Sequence, residues 1–255
     1  MKKQHTLKFI FSIFLVFCSF LGQSQTTISA DKEQVKKDSV VPKTERYGIR
    51  FGVDLFKLTR SFYEKDYRGI ELVGDYRLTR KHYLAVELGN ENKTVNDARL
   101  NFTTEGSYLK AGFDFNAYEN WLGMENVIYV GLRYGISAFS QQRNSYKIYD
   151  NTTIFDEQPI IVDAQKFDGL SAQWAEVVAG VKAEVFNNIF VGFSLRLNRM
   201  ISNKKPDNFD NLYIPGFNRT YDGDFGVGFN YTVSYFLPLY KSTVKAKVKA
   251  EKKKK

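Results

Sequence analysis

The sequence predicts an all-β protein that forms a closed, antiparallel, up-and-down transmembrane β-barrel of about eight strands. Three observations support this prediction. Apolar and polar side chains alternate along most of the chain, the connections between the alternating segments are long and short in turn, and the amino terminus resembles an export signal. No helical period of comparable length competes with the alternation.

The alternation has a period of two residues, which is typical of strands with two unlike faces. In one segment Ile128, Val130 and Leu132 share a face, whereas Gly131 and Arg133 lie on the other. A spanning strand needs about 9–11 residues, which is close to the length of most of these segments. The alternating segments are residues 47–55, 69–78, 84–89, 108–115, 128–137, 175–185, 189–198 and 225–235.

Glycine and charge indicate which face points inward. Glycine recurs on the polar face beside long charged side chains, where a water-exposed strand gains nothing from it. A narrow lumen packed with ion pairs does need such room, so we predict that the polar face lines the lumen and the apolar face contacts lipid. Acids and bases nearly balance in the predicted lumen network, which consists of Arg50, Asp54, Glu71, Asp75, Arg77, Glu87, Lys110, Asp114, Arg133, Glu176, Lys182, Glu184 and Arg196.

The connections predict an orientation. Long loops are typical of the outer side of an outer-membrane barrel and tight turns of its periplasmic side. An even number of strands then places both termini in the periplasm. The predicted outer loops are residues 60–66, about 90–99, 140–170 and 200–223, and the predicted turns lie near Arg80, at 117–125 and at Asn187-Asn188.

The two ends of the chain differ from its centre. Residues 1–24 read as a signal peptide and 25–45 as a flexible periplasmic leader, followed by the barrel at 46–238 and a lysine-rich periplasmic tail at 239–255. The formal net charge of +9 comes from the two ends rather than from the barrel, so no nucleic-acid partner is expected. The single cysteine, Cys18, lies inside the predicted signal.

The sequence contains few of the residues that catalytic sites use. His82 is the only histidine after the predicted signal, which is too little for a Ser-His-Asp relay or a histidine-rich metal site. Carboxylates on one strand face, such as Glu71 and Asp75, are interpreted as lumen ion pairs, with a charged pore or proton path as the alternative. We predict no enzyme activity, catalytic residue, metal or cofactor.

Aromatic side chains are frequent in the long outer loops. Such residues suit either a contact surface for a protein or glycan, or a cap folded into the barrel mouth, and the sequence leaves both interpretations open. The candidate contact residues are Tyr146, Tyr149, Phe155, Tyr213, Phe217 and Tyr221.

Short motifs in this order resemble a family of uncharacterised outer-membrane barrel proteins from Bacteroidetes-type bacteria. They are Gly112-Phe113-Asp114-Phe115-Asn116, Gly131-Leu132-Arg133-Tyr134, Trp174-Ala175-Glu176 with Gly180, and Tyr213-Ile214-Pro215-Gly216-Phe217. The resemblance implies a fold and a location but no reaction.

The expected role is therefore structural. We predict a non-enzymatic outer-membrane barrel with a side-chain-filled lumen, which contacts outer-membrane lipid and has a structural or docking role. It either stabilises the envelope or docks an outer-membrane or periplasmic protein as a subunit of a larger complex. One alternative is a small-solute pore. The other is a soluble secreted barrel that binds a ligand in an apolar interior.

Overall fold

The computed structural model describes residues 43–118, 125–148, 160–206, 210–219 and 224–244. Eight long strands of the described residues close into one barrel, in which each strand pairs antiparallel with its neighbours. The barrel strands are β1 (Lys43–Asp54), β2 (Tyr67–Arg77), β3 (His82–Asn96), β4 (Leu100–Asn116), β5 (Val127–Tyr146), β6 (Ile161–Phe186), β7 (Ile189–Asn203) and β10 (Phe225–Val244).

The barrel follows the order of the chain. Consecutive strands pair from β1 to β7, β7 pairs with β10, and β10 closes the ring on β1. A two-stranded hairpin of β8 (Tyr213–Ile214) and β9 (Asn218–Arg219) lies between β7 and β10 in the sequence. The predicted all-β, up-and-down, antiparallel closed barrel of eight strands is thus confirmed.

Alternation in the sequence becomes alternation in burial. Along β5 every second side chain from Val127 to Phe139 is buried, and the side chains between them are exposed. The turn at Asn187-Asn188 is as tight as predicted, because Phe186 pairs with Ile189 directly across it. Asn188 adopts φ = 64°, a left-handed conformation that asparagine tolerates better than most residues.

Several strands are longer than the sequence predicted. The expected loop at about 90–99 is wrong, since β3 and β4 leave only residues 97–99 between them. The expected loop at 140–170 is likewise wrong at both ends, because β5 continues to Tyr146 and β6 begins at Ile161. In these extensions both faces carry polar side chains, so the alternation that indicates a strand disappears although the backbone pairing continues.

The barrel also extends further towards both termini than the predicted range of 46–238. β1 begins at Lys43 and β10 ends at Val244, and the ring of Tyr240 stacks on that of Tyr47 at 5.2 Å. These strand ends were expected to belong to the flexible leader and the lysine-rich tail. The predicted signal peptide and the remainder of both ends lie outside the described residues.

A helix that the sequence did not indicate follows β1 directly. Helix α1 (Leu55–Tyr63) begins after Asp54, whose carboxylate accepts a hydrogen bond of 2.7 Å from the backbone N–H of Phe56 and so caps the helix. Leu55 was predicted to end the first strand, and residues 60–66 to form a loop. Among the described residues, no helix has the length and apolar character needed to cross a membrane.

Candidate functional site

The polar lumen and its cap are the parts of the barrel with the richest chemistry. Charged side chains that point inward are almost completely buried, whereas the large apolar side chains between them are exposed on the outer wall. Arg133, for example, is 4% exposed and its neighbour Leu132 is 49% exposed. The barrel therefore has the opposite polarity to that of a water-soluble domain.

The centre of the lumen is an ion network around Arg196. Its guanidinium donates two hydrogen bonds to Glu87, at 2.6 and 3.0 Å, and one of 3.1 Å to Glu176. Lys110 lies 3.0 Å from the Glu176 carboxylate and 3.7 Å from that of Glu87. Arg133 adds a contact of 3.5 Å to Glu87. Each buried charge of this layer has an opposite partner, as burial requires.

A second set of ion pairs lies nearer the termini. The Asp75 carboxylate accepts hydrogen bonds from Arg50 at 2.8 Å and from Lys182 at 2.7 Å. Asp114 pairs with Arg133 at 2.7 Å, which joins this set to the central layer. Paired charges thus occupy the lumen over several layers.

A third cluster lies beneath the cap, around the buried ammonium group of Lys57 on α1. Lys57 contacts the carboxylates of Glu71, at 2.9 Å, and of Glu91, as well as the hydroxyl of Tyr108. The hydroxyl of Tyr108 donates to Glu71, and that of Tyr213 donates to Glu91 at 2.6 Å. α1 is thereby anchored to β2, β3 and β4 and to the hairpin through one side chain.

The cap is the β8–β9 hairpin together with the aromatic residues beneath it. Ile214 and Phe217 are buried, and the ring of Phe217 packs edge-on against Trp174 at 5.8 Å. Tyr213 and Phe217 are therefore not available as an exposed contact surface, and this favours the cap over the partner surface for these two residues. Tyr146 is half-buried at the end of β5, with Arg143 over its ring at 4.6 Å.

Glycine supplies room for the largest lumen side chains. A Cβ atom on Gly135 would lie 2.3 Å from the ring of Trp174, and one on Gly89 would lie 2.2 Å from that of Tyr108. Both distances are far inside van der Waals contact. Glycine is needed at position 112 for a different reason, because a Cβ there would meet the backbone carbonyl of Leu132 on the neighbouring strand. The predicted use of glycine as lumen space therefore applies to some of these positions and not to all.

Comparison with known proteins identifies a family without an assigned role. A family model described as a domain of unknown function, DUF6048, matches residues 6–242. The chain belongs to the DUF6048 family. The motifs predicted a family of unknown function, and the bacterial group named with that resemblance stays a prediction. Comparison with curated proteins gives no significant match.

Two solved structures show a distant likeness to this DUF6048 chain. One is Ail, the attachment invasion locus protein of Yersinia pestis, with a TM-score of 0.38, 11% identity, and coverage of 77% of this chain and 99% of Ail. The other is Ail with the heparin analogue sucrose octasulfate, with a TM-score of 0.37, 13% identity, and coverage of 76% and 98%. These scores are too low to carry a ligand or a role over to the DUF6048 chain.

Most of the predicted lumen residues of the DUF6048 chain lie in the three clusters above. Asp54 joins the cluster around Lys57 through Asn230, whose amide donates to both Asp54 and Glu71. Two of the predicted residues lie elsewhere, at the rim near the termini. There Arg77 pairs with Glu45 at 3.1 Å, and Glu184 lies 3.5 Å from Arg46. Three of the predicted contact residues, Tyr149, Phe155 and Tyr221, lie outside the described residues.

Two charged residues of the cluster beneath the cap were not predicted from the sequence. Glu91 fell in a predicted loop, although it has the same parity as Glu87, which was assigned to the lumen. Extending that parity would have found it. Lys57 carries no such signal, because it belongs to α1, where the period of two no longer applies.

Acid and base groups at the outer end of α1 form a further cluster. The pKa of the Glu64 carboxyl lies below its ordinary value because Arg60 donates a hydrogen bond to it and Lys93 adds a second.

No group of three or more histidine, cysteine, aspartate or glutamate side chains arranged to hold a metal ion occurs in the part of the chain that the structure describes. His82 is the first residue of β3, directly after the turn at 78–81, and its Nδ1 is 3.0 Å from the hydroxyl of Thr79.

Replacing Lys57 with methionine tests the role of its cluster. We expect the variant to unfold with a free energy lower by about 1–3 kcal/mol, because Glu71 and Glu91 lose their shared cation but keep tyrosine and asparagine donors. Urea unfolding followed by tryptophan fluorescence measures the change. Lys65→Met, at an exposed lysine just beyond α1, is the matched control. Equal stability of the two variants would contradict the assigned role.

Proposed function

We propose that this chain is a non-enzymatic β-barrel of the outer membrane, with a side-chain-filled lumen and a structural or docking role. Both termini lie in the periplasm. The barrel contacts outer-membrane lipid directly and docks a partner protein, as a subunit of a larger outer-membrane assembly.

The exposed apolar outer wall carries the location. Contact of such a wall with water would be strongly unfavourable in free energy, whereas contact with the hydrocarbon tails of lipids would be favourable. On β5 the outward apolar side chains cover residues 128–136. A tilted spanning strand needs about 9–11 residues, so this length is sufficient. The belt contains Ile49, Phe51, Ile70, Leu72, Leu84, Val86, Leu88, Phe113, Ile128, Val130, Leu132, Tyr134, Ile136, Val177, Val181, Val191, Phe193, Leu195, Leu197, Val227, Phe229 and Tyr235.

The belt has a defined upper edge on β3 and β4. Leu88 pairs with Leu109, and one outward position further along each strand Asn90 pairs with Ser107. The next outward pair is Asn92 and Glu105. A change from apolar to polar side chains on the same face matches the boundary between hydrocarbon and the headgroup region.

Connection lengths support the orientation. The connections at one end hold α1, residues 97–99, residues 147–160 and the capping hairpin, while the other end has residues 78–81, 117–126 and 187–188. β1 begins and β10 ends at the end with the tight turns. This distribution supports an orientation with both termini in the periplasm, because long loops are typical of the outer side of an outer-membrane barrel and tight turns of its periplasmic side.

The filled lumen disfavours the two alternatives. An eight-stranded barrel has an interior only wide enough to be filled by side chains, and here Arg196, Glu87 and Glu176 occupy its centre. A solute pore would need this layer to open. A soluble ligand-binding barrel would need an apolar interior and a polar exterior, which is the reverse of the observed distribution.

Docking is supported by apolar side chains beyond the belt. Phe62 is 88% exposed at the end of α1, and Val162 is 81% exposed at the start of β6. Exposed aromatic and aliphatic side chains outside the hydrocarbon region suit contact with another protein. A tagged chain purified from outer membranes in mild detergent should retain a stoichiometric partner, and Phe62→Ser with Val162→Ser should lose it. A clean monomer from the unmodified chain would contradict the docking role.

The location and the closed lumen are tested together with purified protein. We expect the chain to insert into phospholipid bilayers, to migrate differently on gels before and after boiling, and to give no steady single-channel conductance. Stable, reproducible conductance steps would favour the pore. A chain that stays monomeric and folded in buffer without lipid or detergent would contradict the membrane location.

A further inference from the structure

The barrel wall is interrupted beside α1. β1 pairs with β10 as far as Asp54 and Thr232, and α1 then replaces the strand. Beyond that point the described residues give β10 no strand partner on this side over Phe225–Tyr231. A helix fills the gap but does not continue the backbone ladder, so the wall has a seam here.

Side chains rather than backbone bonds hold α1 in the gap. On the β10 side the ring of Phe56 packs against Phe229 at 4.6 Å, and the hydroxyl of Thr59 lies 3.1 Å from that of Tyr231. On the β2 side the hydroxyl of Ser61 accepts from the N–H of Gly69 at 2.8 Å. On the β10 side the outward side chains are apolar and exposed, as for Phe229 and Val227.

A cavity lies directly behind the β10 side of the seam. Its volume is about 20 Å³, and its lining includes four basic side chains, each of which also contacts a carboxylate outside the lining. The basic residues are Lys57, Arg60, Lys110 and Arg196. Gly228 contributes only backbone to the lining, so the free edge of β10 borders the cavity.

Two buried polar atoms of residues lining this cavity lack hydrogen-bond partners in the described part of the chain. They are Nε of Arg196, a donor, and Oδ1 of Asn198, an acceptor. Both side chains are more than nine-tenths buried. An unpaired polar atom at such depth is unfavourable, and a cavity of this size holds about one water molecule or one small polar group.

We propose that the seam binds an amphiphile with one acyl chain and an anionic headgroup, preferably a fatty-acid carboxylate. The acyl chain lies against Phe56 and Phe229 on the outer wall. One carboxylate oxygen enters the cavity and accepts from Arg196 Nε. The inference rests on the proposed membrane location, since only then is the apolar side of the seam in contact with acyl chains.

Photolabelling tests the proposal. The full chain is placed in nanodiscs of phosphatidylcholine with a trace of a palmitate analogue that carries a photoreactive diazirine, and labelled peptides are identified by mass spectrometry. We expect labelling within α1 and β10 that excess palmitate abolishes and hexadecanol, which has the same tail and no charge, leaves unchanged. Competition by lysophosphatidate would show that a phosphate headgroup also enters, and its failure would restrict the site to carboxylates.

Two variants test the cavity itself. A Cβ on Gly228 would approach its nearest neighbour, Asn218, no closer than 3.7 Å, so Gly228→Ala fills the cavity without a clash. Gly74→Ala is the matched control, because a Cβ there also meets nothing closer than 3.6 Å but lies outside this cavity. Arg60→Gln removes a lining cation, and Arg68→Gln, on the exposed side of β2, is its control.

We expect labelling to fall at least about fivefold in Gly228→Ala and Arg60→Gln, a difference of roughly 1 kcal/mol in binding, and to stay unchanged in both controls. Equal labelling of all four variants, or equal competition by hexadecanol and palmitate, would overturn the proposal. Heat-dependent gel migration of the same samples reports insertion separately. If the unmodified chain is not labelled although its gel migration is normal, the site is refuted and the membrane location stays intact.

Discussion

Replacing Arg196 with leucine is expected to lower the free energy of unfolding by about 3–5 kcal/mol, the cost of leaving buried charges without their partner. Arg196 holds Glu87 through two hydrogen bonds and Glu176 through a third. Lys110 remains near both carboxylates but cannot replace a planar guanidinium that spans them. The loss should therefore exceed that from any surface arginine.

Urea unfolding in phospholipid vesicles, followed by tryptophan fluorescence, measures this loss. Arg199→Leu is the matched control, since Arg199 lies on the same strand but points outward over the ring of Phe225. We expect this control to stay within about 0.5 kcal/mol of the unmodified chain. If both leucine variants unfold at the same urea concentration, the central ion layer does not stabilise the barrel.

Replacing Leu132 with arginine is expected to destabilise the inserted barrel by about 2–4 kcal/mol, the cost of a charge on the lipid face near the bilayer midplane. Leu132 lies in the middle of the apolar belt on β5 and is half-exposed on the outer wall. In a soluble barrel the same change would replace an exposed leucine with a better hydrated side chain and would leave stability nearly unchanged.

The matched control is Ser171→Arg, on the neighbouring strand. Ser171 also points outward, but it lies beyond the belt, where it pairs with Ala138. We expect this variant to insert into vesicles as completely as the unmodified chain, and Leu132→Arg to insert less. The same insertion yield and stability for both arginine variants would show that the outer wall does not face hydrocarbon.

The barrel was predictable because its strands have unlike faces. On β5 the polarity of each residue predicts whether its side chain points into the lumen or outward. Arg133 and Leu132 differ in burial as their polarity indicated. The short turns indicated that the strands they join are neighbours in the sheet. The closed ring then follows, since an up-and-down sheet of this kind closes once β10 pairs with β1.

The strand ends and α1 were not predictable in the same way. Above the belt both faces of β5 and β6 carry polar side chains, so the alternation that separates a paired strand from a loop disappears there. Leu55 continues the alternation of β1 by one residue although it begins a helix. The signal available is Asp54, a residue type that often caps helices, but it was explained equally well as a lumen charge.

The site was predictable as a set of charges but not as an arrangement. Which acid meets which base depends on the relative register of strands far apart in sequence, as for Glu87 and Arg196. The burial of Tyr213 and Phe217 depends on a hairpin with no periodic pattern. The seam beside α1 arises only because a strand stops early, which the sequence did not indicate.

The most direct test of the account measures whether the apolar belt of the outer wall contacts lipid. A nitroxide label is placed at Leu132→Cys or at Ser171→Cys in a chain with Cys18→Ser, the only native cysteine, and the protein is inserted into phospholipid vesicles. We expect the label at position 132 to collide readily with oxygen and hardly at all with a water-soluble nickel complex, and the label at 171 to show the reverse. Equal access of the nickel complex to both labels would contradict a membrane-embedded outer wall.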